Sequence, residues 1–122
     1  MAKTFEQLGL SEQLLHLLES SGIKEPSEIQ EKAIPLVLQG LDIIGDSATG
    51  SGKTLAFGAG LIDRTESGKG LQVLILTPTR ELAIQVSDHF TDLAKFTPFS
   101  SVRIYGGANI EKQALGLFHV CD

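Results

Sequence analysis

The chain has one cysteine, Cys121, in 122 residues, so no internal disulfide can form. A reducing, cytoplasmic setting is therefore expected. No apolar run approaches bilayer-spanning length, and Met1-Ala2-Lys3 leads into polar residues instead of a secretory h-region. The three histidines, His16, His89 and His119, are widely spaced and offer no zinc-ligand motif. Positive charge is also scarce: 10 Lys and Arg against 15 Asp and Glu leave a net charge of −5. That argues against nucleic-acid binding by bulk electrostatics, while a local phosphate-binding face stays open. There is no internal repeat, and the length allows one domain at most.

The stretch Ser47-Ala48-Thr49-Gly50-Ser51-Gly52-Lys53-Thr54 organises the chain. It follows Leu41-Asp42-Ile43-Ile44-Gly45, which reads as a buried strand, and it precedes the helical apolar pattern opening at Leu55-Ala56-Phe57. Two glycines let the backbone curl so that successive N–H groups point at one spot. The helix adds its unpaired N–H groups and the positive end of its dipole. Lys53 can then reach terminal phosphates, and the Thr54 hydroxyl can ligate Mg²⁺. The competing reading is an ordinary Gly-rich turn with an exposed lysine.

Upstream, Ser11 is placed to cap a helix carrying Leu14, Leu15, Leu17 and Leu18, which Ser20-Ser21-Gly22 stops. His16 falls in that helix as a surface or half-buried residue rather than a catalyst. Ser27 opens a second helix, with Ile29, Ala33 and Ile34 inward, that Pro35 is expected to kink or interrupt and Gly40 to end. Downstream, Lys53 to about Asp63 is helical, and residues 65–70 form a solvated loop. Leu71 to Leu76 reads as a strand covered on both faces. Thr79 caps a helix from Arg80 to about Leu93, with Leu82, Ala83, Val86 and Phe90 at helical spacing. Val102-Arg103-Ile104-Tyr105 reads as a third strand, closed by Gly106-Gly107, and Asn109 as the cap of a short helix with Ala114, Leu115 and Phe118 inward.

Strand and helix alternate, so the expected class is α/β, a mostly parallel sheet flanked by helices. Residues 1–40 form a helical region and residues 41–122 a series of βα units. In such sheets ligands sit beyond the carboxyl ends of the strands. The loops at 46–54, 77–80 and 106–109 all follow strands and are expected on one edge, which suggests a second ligand beside the nucleotide.

Four blocks occur in the order of a known family. These are Gly22-Ile23-Lys24-Glu25-Pro26-Ser27-Glu28-Ile29-Gln30 with Phe5 upstream, then Ser47 to Thr54, then Pro78-Thr79-Arg80-Glu81-Leu82-Ala83-Ile84-Gln85, then Gly106-Gly107. The chain resembles the N-terminal RecA-like (P-loop NTPase) domain of DEAD-box ATP-dependent RNA helicases, with these blocks similar to the Q motif, motif I, motif Ia and the double glycine. The resemblance implies ATP or ADP with Mg²⁺ as cofactors and RNA as partner. Gln30 would read the adenine edge, Phe5 would cover the ring, and Lys24 and Pro26 would help to form the base pocket. Thr49, Gly50, Ser51, Gly52, Lys53 and Thr54 would hold the phosphates, with Thr54 on the metal and Lys53 and Thr54 the residues closest to the chemistry. Arg80 would contact an RNA phosphate beside the backbone of Pro78, Thr79 and Gly107.

Each role has a plainer counterpart. Gln30 occupies the N3 position of a helix capped by Ser27, the place of a capping-box glutamine. Phe5 also suits a core anchor, Arg80 a surface ion pair with Glu81, and Gln85 a helix residue behind the motif. Ser47 and Ile23 depart from the family pattern by small changes. Asp46 beside the loop is read as facing either solvent or magnesium.

The chain contains no Asp-Glu-Ala-Asp and no Ser-Ala-Thr motif, and it ends at Val120-Cys121-Asp122, where the family begins its next strand. By the resemblance the strand carrying Asp-Glu-Ala-Asp lies centrally in the sheet. Its absence is expected to leave a gap and unpaired edges, with either repacked strands or self-association, and no catalysis. Two other classes remain: a non-catalytic RNA- or protein-binding piece using the 77–80 and 106–109 loops, and a nucleotide kinase or GTPase. Phe5, Gln30 and the Pro78–Gln85 block count against the last.

Overall fold

The computed structural model describes residues 3–47, 52–107 and 110–113. Among them are four longer helices, α1 (Glu12–Ser20), α2 (Glu28–Leu38), α3 (Lys53–Arg64) and α4 (Arg80–Leu93). Residues 110–113 are also helical. Asn109, Ala114, Leu115 and Phe118, expected in a last helix, lie outside the described residues.

The helix starts follow the capping rules. The Leu14 N–H reaches the Ser11 hydroxyl, and the Leu82 N–H donates to Thr79 Oγ1 at 3.1 Å. Ser27 and Gln30 close a full capping box at the start of α2. The ends of α1 and α2 are Schellman turns. At the second, Gly40 N donates to Val37 O and Leu41 N to Leu36 O. Pro35 does not interrupt α2. It costs the helix one N–H, but Ile34 and Val37 on either side of it are buried, and Gln39 N donates to Pro35 O. Packing there outweighs the proline penalty.

Long-range caps then bind the helices to one another. Asp63, near the end of α3, accepts from Ser11 N at 2.8 Å and from Ser11 Oγ at 2.5 Å, so it holds the start of α1. Arg64 Nη1 donates to Val37 O and Leu38 O, the terminal carbonyls of α2. Gly58 and Gly60 let α3 approach its neighbours closely: a Cβ at Gly60 would sit 2.7 Å from Val37 Cγ1, and one at Gly58 2.8 Å from Leu93 Cδ1. One core results, with Leu14, Ile34, Leu55, Ala59, Ile62, Phe90 and Leu93 among its members.

Gly40 serves both the Schellman turn and the Arg64 contact. Its φ is +77°, and a Cβ there would overlap the Arg64 guanidinium. Gly40→Ala is expected to cost about 1–2 kcal/mol from the left-handed backbone alone. Loss of the Arg64 bonds adds to that. A urea melt of the variant beside the wild-type chain checks it.

The expected parallel sheet is not formed among the described residues. Residues 41–47, 71–76 and 101–105 have neither helix nor strand pairing, and no backbone ladder joins them. Residues 71–77 and 98–104 instead both line an open groove of about 770 Å³. Leu74 and Leu76 are accordingly 78% and 85% exposed, and Ile44 is fully exposed. Leu71–Leu76 is thus not covered on both faces as its apolar run predicts. The first half of α4 shares the consequence: Leu82 is exposed and Ala83 and Val86 line the groove, while Phe90 and Leu93 are buried.

Candidate functional site

The start of α3 differs from the other helix starts in what it leaves open. Its N-cap, Gly52, has φ +85° and no side chain to satisfy the first-turn N–H groups, and no acidic residue stands in that turn. Lys53 is exposed and Thr54 half-buried. A cation at a helix N-terminus opposes the dipole, so Lys53 there favours an anionic ligand. Thr49, Gly50 and Ser51 lie outside the described residues. Asp46, just upstream, is exposed.

Gln30 is brought to this start by the packing of α2 against α3. Its side chain is only 6% exposed. Oε1 accepts from Ser27 N at 2.9 Å, and Nε2 donates to Gly52 O at 3.3 Å. The capping-box reading therefore holds in this structure, and the same amide reaches Gly52, the N-cap of α3. Pro26 is half-buried and Lys24 exposed on the link between α1 and α2. Phe5 lies within the hydrophobic core, 5% exposed, as the plainer reading had it.

A second cluster forms where the segment before α4 meets the turn at 106–107. Pro78, Thr79, Arg80 and Gly107 are all exposed. The Arg80 guanidinium lies over the Tyr105 ring, 6.0 Å from its centroid, and a Cβ at Gly107 would come within 3.0 Å of Arg80 Nη1. Its contact with Glu81 is long, 4.0 Å. At that distance between exposed groups the pair holds Arg80 weakly. Tyr105 was not singled out from the sequence; the available signal was its place immediately before the double glycine. Gln113 Oε1 accepts from Tyr105 N at 2.7 Å and fixes the backbone there.

Away from both clusters, Lys32 lowers the Glu28 carboxyl and Lys69 the Glu66 carboxyl below the usual carboxylate range, in each case by a direct hydrogen bond aided by charge. Among the described residues no set of His, Cys, Asp or Glu side chains could hold a metal ion, so acidic metal ligation has no cluster here. No helix among them is long and apolar enough to cross a membrane.

The RecA-like fold is supported by two solved structures that match this chain. A DEAD box protein from the hyperthermophile Methanococcus jannaschii matches with a TM-score of 0.89 and 39% identity, over 96% of this chain and 33% of that one. The RNA-helicase Prp28 from Chaetomium thermophilum, solved bound to ADP, matches with a TM-score of 0.82 and 39% identity, over 94% of this chain and 30% of that one. The chain belongs to the DEAD/DEAH box helicase family, whose model matches residues 27–122. Among curated relatives, the DEAD-box ATP-dependent RNA helicase RhpA of Helicobacter pylori is 46% identical over 110 residues. That alignment takes in 90% of this chain and 22% of RhpA, so the chain spans about a fifth of its relative's length.

Proposed function

We propose that the chain is the adenine-nucleotide-binding portion of an ATP-dependent RNA helicase, and that by itself it binds ATP or ADP with Mg²⁺ without turning it over. The observation that carries this is the start of α3, where Gly52, Lys53 and Thr54 present uncapped N–H groups, an ammonium and a hydroxyl to one place. In this reading Lys53 meets the terminal phosphates and Thr54 the metal, with Thr49, Gly50 and Ser51 completing the cradle. Gln30 reads the base, with Lys24 and Pro26 flanking it, and Phe5 backs the pocket from the core. Turnover is not expected of this stretch alone, whose sequence carries no Asp-Glu-Ala-Asp carboxylates to position metal and water. The single cysteine supports a cytoplasmic setting.

The base preference is the test. ADP is expected to bind and GDP to bind at least about tenfold more weakly, because an amide that pairs with adenine leaves its groups unmatched against guanine. Equal binding of both, or preference for GDP, would return the chain to the nucleotide kinase or GTPase reading.

In the parent protein, Arg80 with the backbone of Pro78, Thr79 and Gly107 is assigned to an RNA phosphate. A guanidinium stacked on Tyr105 and barely held by Glu81 supports that assignment. Such a contact grips the backbone without reading sequence. Arg80→Ala in the longer protein should weaken single-stranded RNA of any sequence alike and flatten the salt dependence by about one phosphate. A filter-binding series in rising salt measures both.

A second reading, self-association, is favoured by one observation: Ile44, Leu74 and Leu76 lie exposed on segments with no strand partner among the described residues. Unpaired apolar edges invite pairing with another chain. Light scattering should show mass rising with concentration, and Leu74→Lys should suppress the rise. A monomer at all concentrations would remove this reading without touching the first.

A further inference from the structure

Three contacts lay residues 101–105 along α4 in the opposite direction. Ser101 Oγ lies 3.4 Å from Ser87 Oγ, Arg103 Nη1 lies 3.6 Å from Asp88 Oδ1, and the Tyr105 ring meets Arg80. Every second residue of the run therefore reaches the helix, which is the period of an extended chain. On α4 the partners Arg80 and Ser87 fall about two turns apart, on one face. That register delivers Tyr105 to the start of α4, where Arg80 stands.

The Arg80 guanidinium has two close neighbours there. Its carbon lies 6.0 Å from the centroid of the Tyr105 ring. Gly107 comes so near that a Cβ would stand 3.0 Å from Nη1, and its φ of +83° already favours glycine. Tyr105 is held in turn, since its N–H donates to Gln113 Oε1 at 2.7 Å. A guanidinium carries five N–H donors in one planar fork. An aromatic face attracts that cation electrostatically and takes none of the donors, whereas a paired carboxylate would take one or two. The 4.0 Å approach of Glu81 is too long for a hydrogen bond. We infer that Tyr105 is a positioning residue for Arg80: its ring, with the close Gly107 backbone, seats the guanidinium and leaves its donors for phosphate oxygens. This rests on the RNA-phosphate assignment of Arg80 proposed above, and it adds a residue that acts only through Arg80.

Tyr105→Leu removes the aromatic face, and Tyr105→Phe keeps it and loses only the hydroxyl. In the longer protein, Tyr105→Leu is expected to weaken single-stranded RNA of any sequence about two- to fivefold, the worth of an exposed cation–π contact. Tyr105→Phe should bind as the wild type does. In an Arg80→Ala background Tyr105→Leu should have no further effect, because nothing is left to position. Proton NMR of the ligand-free chain supplies a readout that needs no RNA. Ring currents should displace the Arg80 side-chain resonances upfield in the wild type and in Tyr105→Phe, and not in Tyr105→Leu. An equal loss of RNA affinity from Tyr105→Leu with and without Arg80 would overturn the inference, since the ring would then serve the RNA or the fold directly. Wild-type affinity in Tyr105→Leu would overturn it too. A wild-type chain without the upfield displacement overturns it alone, even if Tyr105→Leu does not fold. If the longer wild-type protein binds no RNA, the assignment of Arg80 fails, and the NMR result then judges whether Tyr105 seats it.

Discussion

Replacing Lys53 with alanine is expected to weaken ADP and ATP binding by about 10- to 150-fold, the range for losing a hydrogen bond to a charged partner. The side chain is exposed and stands at the first position of α3. Removing it should therefore cost no stability. Relieving a cation at the positive end of the helix should even help slightly. A large loss of affinity without loss of stability is the signature of a residue placed for its ligand. Competition against a fluorescent adenine nucleotide, run beside a urea melt, reads both. Equal affinity in the variant would mean that the Gly-Lys-Thr turn is a structural helix start with an ordinary surface lysine.

Ile34→Ala is the largest expected stability effect. Ile34 is fully buried in α2 and belongs to the same core as Leu55, Ala59 and Ile62 of α3. Truncating a buried Ile to Ala costs about 2–5 kcal/mol, the upper part when the surroundings cannot collapse into the cavity. Gly60 against Val37 and Arg64 on the terminal carbonyls of α2 hold the two helices at fixed spacing, so collapse is restricted. That range is a large fraction of the total stability of an ordinary domain. The midpoint of urea unfolding should fall steeply, with nucleotide affinity falling only where the chain begins to unfold. A shift under about 1 kcal/mol would mean that α2 and α3 are not packed as described.

The parts of the fold that were legible in the sequence are those specified locally. Ser11, Ser27 and Thr79 announce helix starts because a short side-chain oxygen meets an N–H within one turn, and Gly22 and Gly40 end helices for an equally local reason. The interruption expected at Pro35 does not occur because its cost is local and its compensation is not: Ile34 and Val37 beside it are buried in tertiary packing. Asp63 on Ser11 and Arg64 on Val37 and Leu38 could not be read at all, since each joins residues far apart in sequence. The sheet shows the same limit at larger scale. Leu71–Leu76 has the composition of a buried strand, but pairing depends on a neighbour remote in sequence, and here the segment lines an open groove.

The candidate site divides in the same way. Gly52, Lys53 and Thr54 are legible because a strand-like run, two glycines and a helix pattern occur in one short stretch. Gln30 could be read as a capping residue or as a base reader, and geometry adds the link to Gly52 that neither reading contained. Tyr105 beneath Arg80 became visible only when the turn at 106–107 was placed against the start of α4.

The most direct test of the central claim is a calorimetric titration of ADP with Mg²⁺ into the wild-type chain, with light scattering on the same sample. The account predicts saturable binding at one site per chain, whether the sample is monomeric or associated. No binding by a chain that circular dichroism shows to be folded would contradict it. The phosphate loop and the Gln30 pocket would then be features of the family's sequence that this chain does not assemble into a site.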